Sequence, residues 1–374
     1  MQQSPGLITA SPLIGNEEIS PELHERLQDL KATLGNRVVI LGHHYQRDDV
    51  ITYADRRGDS LDLARFASTL SAVEFVIFAG VHFMAESADM LTPDHVKVLL
   101  PDLRAGCSMA DMAEIGQVQD AWETLTAATN ETIIPITYIN STAALKAFVG
   151  RHGGAVCTSS NARSIVEWAF TQGKKLLFFP DQHLGRNTCA DLGYAVDSML
   201  VYDPHSPDGG HTPQAYAASP VILWKGHCSV HQNFRPNHAD VVRQRIPGVK
   251  VLVHPECPYE VVQKADFAGS TKYIIDQVNQ SPAGSKWAIG TEHHLVNRLA
   301  QENPDKLIST LAPFACQCST MFRISPENLA ASLQSILNGE PKHIISVDAE
   351  TTRWANVALE RMMHLSPNNA PPKA

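Results

Sequence analysis

Apolar positions along the chain fall into short runs that stop abruptly at polar or glycine-rich clusters. The first periodic segment is helical. Leu23, Leu27, Leu30 and Leu34 recur three to four residues apart, Pro21 follows Ser20 at the start, and Gly35 closes the segment. After it, residues 38–41 run into GHHYQ, 75–78 into AGVHFMAES and 96–100 into PDLRAGCS. Residues 133–139 precede NST, 155–157 precede TSSNA, and 176–179 precede PDQHLG. Residues 221–224 lead into KGHCS, 251–253 into HPEC, 272–275 follow AGS, and 287–289 precede GTEHH. Stretches of helical character follow most of these runs. Apolar strands alternating with helices predict an α/β fold with parallel sheet covered on both faces. In such sheets ligands bind beyond the carboxyl ends of the strands, where these polar clusters sit.

The runs group in threes, and each group closes on a cysteine segment: Cys107, Cys228, and Cys316 with Cys318. This pattern predicts a threefold repeat. Residues 187–220, rich in Gly, Pro, Asp and Tyr, interrupt it and read as a surface insertion. Residues 1–20 and the tail from Ser366 have the composition of mobile termini.

Charge narrows the function. The formal net charge of -9 argues against general nucleic-acid binding, which needs a basic surface. No apolar run is long enough for a membrane span, and the first residues lack a basic stretch ahead of an apolar core, so a cytoplasmic protein is expected. Seven cysteines, an odd number in such a chain, point to metal binding or catalysis rather than disulfides. The chain contains neither G-x-G-x-x-G nor a P-loop, so no nucleotide cofactor is expected.

The cysteines after strands carry the strongest local signal. Cys107 lies in RAGCSM, Cys228 in KGHCSV, and Cys316 and Cys318 in FACQCS. These separations match no local zinc ribbon or ferredoxin run, so a site built from them is assembled by the fold; iron–sulfur and zinc both suit it. Gly106 and Gly226 just upstream would leave room for a bulky group. In GHHYQ, His43, His44, Tyr45 and Gln46 can move protons or bind carboxylates, and read equally as a buried polar network. In HPEC, alternation turns His254 and Glu256 to one side, as acid–base partners require. Tyr138 and Asn140 repeat that spacing in TYINST. CTSSNA and AGST offer hydroxyls and N–H groups ahead of helices, as anion sites or as caps. Asp181 in PDQHLG either meets substrate or caps the next helix, and the charged residues of TEHH are expected on a solvated helix face.

These clusters, in this order, resemble the quinolinate synthase family. The resemblance covers about residues 30–340 and rests on GHHYQ, GDSLDLAR, RAGCSMAD, TYINST, CTSSNA, FFPDQHLG, GHCSVH, HPEC, AGSTKYII and CQCSTM. It implies three αβα domains with small parallel sheets, related by pseudo-threefold symmetry, with the active site at their junction. On that reading the domains span 21–119, 120–230 (carrying the 187–220 insertion) and 231–345, followed by a C-terminal helix and tail over 346–374.

The resemblance also implies one 4Fe–4S cluster per chain, with an open iron acting as Lewis acid. Cys107 and Cys228 match two of its ligands, and Cys318 the third, with Cys316 as the alternative. The implied reaction condenses iminoaspartate with dihydroxyacetone phosphate to quinolinate, phosphate and water, for NAD biosynthesis. An aspartate oxidase or dehydrogenase would supply the iminoaspartate. Tyr45, Glu256, His43 and His254 match the catalytic positions. Ser60, Tyr138, Asn140, Ser159, Ser270 and Thr271 match substrate positions together with His43, His254 and Glu256; Thr158 is the alternative to Ser159.

Overall fold

Three small parallel sheets with the same strand order form the frame, as seen in a computed structural model that describes residues 19–366. The expected mobile ends, 1–20 but for its last two residues and the tail beyond Ser366, lie outside the described residues. The first sheet is built from β1 (Val38–His43), β2 (Arg56–Gly58), β3 (Phe75–Ala79) and β4 (Lys97–Leu99). The second uses β5 (Ile133–Tyr138), β6 (Ala155–Cys157), β7 (Lys175–Phe179), β8 (Met199–Tyr202) and β9 (Val221–Trp224). The third uses β10 (Lys250–Val253), β11 (Phe267–Ala268), β12 (Lys286–Gly290) and β13 (Leu307–Thr310). A short β14 (Ile344–Ile345) adds to the first sheet, antiparallel to β4.

Without the edge strands β8 and β14, the orders are β2-β1-β3-β4, β6-β5-β7-β9 and β11-β10-β12-β13. Every pairing within these sets is parallel. The α/β expectation with three αβα units therefore holds. Central strands are buried on both faces, which is why they read as unbroken apolar runs. In the third unit the two faces are separate cores. Val251, Val253 and Ala288 pack on one side; Leu252, Trp287 and Ile289 pack on the other.

Several expectations are corrected. Residues 272–275 are not a strand: they belong to the helix Thr271–Gln280, where Thr271, Ile274 and Val278 are buried at helical spacing. The true edge partners, β2 and β11, are too short to leave an apolar run, and Arg56 and Arg57 of β2 are exposed. Each repeat thus has four strands, not three. Residues 187–220, expected as a surface insertion, contain an extra edge strand, β8, which pairs in parallel with β9. Its flanking polar turns mask it in the sequence.

The third unit does not extend to 345. After Cys318 the helix Pro326–Leu337 packs on the helix Pro21–Leu34, and β14 joins the first sheet. Leu329, Leu333 and Ile336 share a core with Leu27, Leu30 and Leu34. The last helix, Ala349–His364, returns to the second unit against Ala143–Arg151 and β6.

Candidate active site

Each kind of strand end carries one kind of chemistry. The carboxyl end of the first strand of each unit holds paired residues two apart: His43, the last of β1, with Tyr45; Tyr138, the last of β5, with Asn140; and His254 with Glu256 just after β10. Loops after the second strand open helices at hydroxyl residues. Ser60 is the first residue of Ser60–Ala67, capped by Asp59. Ser270 caps Thr271–Gln280, and Ser159 lies in the turn before Ala162–Gln172. Such N-terminal turns present unpaired N–H groups and a favourable dipole to anions. Loops after the fourth strand carry Cys107, Cys228 and Cys318.

A continuous hydrogen-bonded chain joins the first and third units. Thr271 Oγ1 donates to the Tyr45 hydroxyl at 3.0 Å. Tyr45 Oη lies 2.9 Å from Thr291 Oγ1, which lies 3.1 Å from His231 Nε2. His231 Nδ1 is 2.7 Å from Glu256 Oε2. An ionised carboxylate only accepts, so His231 donates from Nδ1. A neutral His231 then accepts at Nε2 from Thr291, and Thr291 accepts from Tyr45.

The electrostatics suit proton relay. Burial works against ionisation of Glu256; the hydrogen bond from His231 Nδ1 works for it and helps hold the carboxyl below the usual range. Burial, and then the Glu256 charge, push the Tyr45 and Tyr138 phenols well above theirs, so both stay protonated.

His43 and His254 form a matched pair. Nδ1 of His43 accepts from Tyr45 N at 3.1 Å, and Nδ1 of His254 accepts from Glu256 N at 3.3 Å. The ring proton of each therefore resides on Nε2. Burial pushes both imidazoles down to about 3, with His44 adding to the effect at His43. Both are neutral N–H donors around neutrality. Asn140 adds a buried Oδ1 with no partner among the described residues. An orphaned acceptor at a strand end is a mark of a ligand position.

The cysteines divide by environment. Cys157, Cys189, Cys257 and Cys316 are buried; Cys107, Cys228 and Cys318 are partly exposed. Each of these three is followed by Ser and a single 3-10 turn: Ala110–Met112, His231–Asn233 and Met321–Arg323. In each, the cysteine carbonyl accepts from the N–H four residues on: Asp111 at 3.1 Å, Gln232 at 2.9 Å and Phe322 at 3.1 Å. The same turn aims N–H groups at each sulfur: Ala110 and Met109, His231, and Met321 and Thr320. Burial pushes the Cys107 thiol up to about 12, with the nearby Cys318 adding to it. Burial also raises Cys228, as do Glu256, Cys107 and Cys318. A bound cation would reverse that preference, since a coordinating thiol is deprotonated outright.

Three thiols on matching turns, close enough to act on one another, fit a metal group with three thiolate ligands. Cys316 lacks this setting: its carbonyl accepts from His293 N at 3.0 Å, and its side chain belongs to the apolar core with Val253 and Cys257. Ligand atoms of Cys228, His231 and Glu256 also lie within 4.8 Å of one another, a second arrangement able to hold an ion.

Other strand ends hold the loops in place. Asp181 does cap its helix, since Oδ1 accepts from His183 N at 2.6 Å and Leu184 N at 3.0 Å. Its Oδ2 has no partner among the described residues, and burial, then Glu256, push the carboxyl well up. TEHH is not on a solvated face. Glu292, His293 and His294 are buried, and Glu292 Oε1 accepts from Cys318 N at 3.3 Å and from His294 Nδ1 at 2.9 Å. Gly226 serves a different purpose from the one expected. A Cβ there would stand 2.2 Å from the Pro180 carbonyl oxygen, so close backbone packing requires the glycine. At Gly106 a Cβ would meet only the Asp111 carboxylate, at 3.9 Å, so this glycine does leave room beside it.

His231 and Thr291 are the site residues that the sequence did not single out. Both lie inside quoted motifs, GHCSVH and TEHH, but only the fold brings them between Tyr45 and Glu256.

Comparison with known proteins agrees with this geometry. The family model described as quinolinate synthetase A protein matches residues 25–364. A quinolinate synthase of Bacillus anthracis is 54% identical over 342 residues, covering 91% of this chain and 93% of that protein. Quinolinate synthases of Bacillus cereus and Bacillus thuringiensis are 53% identical over the same lengths. A solved reductase from Plasmodium falciparum, acting on E-1-hydroxy-2-methyl-but-2-enyl-4-diphosphate, aligns at a TM-score of 0.28 and 11% identity over 84% of this chain and 82% of its own, a likeness that carries no argument. With a family match spanning all three sheets and near-full-length relatives at this identity, the chain belongs to the quinolinate synthetase A protein family.

Proposed function

We propose that this enzyme condenses iminoaspartate with dihydroxyacetone phosphate to quinolinate, phosphate and water, in the cytoplasm, for NAD biosynthesis. The observation that supports this most is the relay from Tyr45 through Thr291 and His231 to Glu256, beside three cysteine turns. Ring formation from these substrates needs enolisation, imine–enamine exchange and loss of water, all of them proton movements without net redox change. Glu256 is the base that takes a proton by way of His231. The Tyr45 hydroxyl gives and recovers protons through Thr291, and its raised pKa keeps it a donor. His43 and His254 donate from Nε2 to developing anionic oxygen. Tyr138 and Asn140 orient the amino acid half, Asn140 accepting from its nitrogen. Ser60, Ser159, Ser270 and Thr271 hold carboxylate or phosphate at helix N-termini, each contact contributing roughly 1.5–3 kcal/mol. Cys107, Cys228 and Cys318 would hold a 4Fe–4S cluster, which supplies Lewis-acid polarisation at an iron without a protein ligand. An aspartate oxidase or dehydrogenase is the natural source of the unstable imine.

A second reading is a mononuclear zinc hydrolase using Cys228, His231 and Glu256. Against it, both ring nitrogens of His231 already serve the relay. Anaerobically purified protein is expected to contain about four iron and about four acid-labile sulfide per chain. It is also expected to form quinolinate from both substrates together and from neither alone. About one zinc per chain, without sulfide or quinolinate, would replace this reading with the second.

A further inference from the structure

The loops that carry the chemistry are fixed from outside their own units. Arg298 lies on the helix His293–Glu302, which follows β12 in the third unit. Its Nε donates to Asp48 Oδ1 at 2.6 Å, and its two terminal nitrogens donate to the carbonyls of His44 at 2.9 Å and Gln46 at 2.6 Å. Those carbonyls bracket Tyr45 in the first unit. Asn187 lies on the helix Gln182–Asp191, which follows β7 in the second unit. Its Nδ2 donates to the carbonyls of Pro255 at 2.8 Å and Cys257 at 2.9 Å, which bracket Glu256 in the third unit. Glu86 lies on the helix His82–Leu91, which follows β3 in the first unit. Its Oε2 accepts from Ala143 N at 3.0 Å, at the start of the helix that follows Tyr138 and Asn140 in the second unit.

The same element reaches the same region three times: the helix after the third strand grips the segment that follows the first strand of the next unit, at its loop in two cases and at the start of its helix in the third. The first unit holds the second, the second holds the third, and the third holds the first. We propose that Glu86, Asn187 and Arg298 are positioning residues that form a closed ring of clamps, setting Tyr45, Glu256 and the Tyr138–Asn140 pair in register. None of the three need touch substrate. Misplacing a reacting group by about 1 Å can cost about 10²-fold in rate. In a closed ring, opening one clamp frees the loops of the others, so a second cut adds little.

The inference rests on the proposed reaction for its kinetic test, and on amide exchange for one that does not need that reaction. Arg298→Met removes the donors and keeps the stem. Asn187→Leu removes two donors together with Asn187 Oδ1, a buried acceptor without a partner among the described residues, so it need not impair folding. Each single variant is expected to lose about 10²-fold in kcat with unchanged iron content. The double variant should fall no more than about threefold further. By hydrogen exchange, Arg298→Met should speed amide exchange in the 44–48 segment and also in the remote 254–258 segment. Wild type without quinolinate formation would sink the proposed reaction and leave the exchange result to decide the ring. Active wild type with kcat losses that multiply in the double variant, or exchange raised only at 44–48, would overturn the ring.

Discussion

Glu256→Gln is expected to lower kcat by about 10²- to 10⁴-fold with little change in iron content, the range general acid–base groups contribute. The amide keeps the shape of the carboxylate and can still accept from His231 Nδ1, so the relay geometry survives. What it loses is the capacity to take a proton. Glu256 is 3% exposed, and the hydrogen bond from His231 Nδ1 favours its carboxylate in spite of burial. On the proposed reaction it is the proton acceptor, shielded from solvent. Anaerobic steady-state assay beside iron analysis checks this. Turnover within about threefold of wild type would remove Glu256 from proton transfer.

The second large effect concerns the third thiolate. Cys318→Ala is expected to lose most iron and acid-labile sulfide, and turnover with them. Cys316→Ala should keep both, at a stability cost of about 1 kcal/mol. Only Cys318 has the Cys-Ser turn, the carbonyl bond to the residue four on, and the sulfur-facing N–H groups that Cys107 and Cys228 share. Cys316 packs as a small apolar side chain. Metal analysis of both variants decides it, and the reverse pattern would move the ligand to Cys316.

Central strands announced themselves in the sequence because parallel sheet buries both faces, leaving continuous apolar runs in β3, β5 and β7. The edge strands β2 and β11 have three and two residues and carry no such signal. Residues 272–275 looked like a strand because Tyr273, Ile274 and Ile275 are adjacent, yet only Ile274 of the three is buried, as a helix requires. The cysteine segments after strands stood out in the sequence, but the choice of Cys318 over Cys316 came only from the resemblance, and the shared Cys-Ser turn came from the fold. The relay was not visible in the sequence: Tyr45 and Thr291 are 246 residues apart, and no spacing rule joins them. TEHH was misjudged because charged residues usually face water, whereas Glu292 is buried holding His294 and the Cys318 turn.

The most direct test of the proposed reaction follows the carbon. Anaerobic enzyme given iminoaspartate and uniformly ¹³C-labelled dihydroxyacetone phosphate is expected to release quinolinate carrying the whole labelled triose chain, with phosphate in equal amount. Iron-loaded enzyme that gives no quinolinate, or quinolinate without the label, would contradict the condensation.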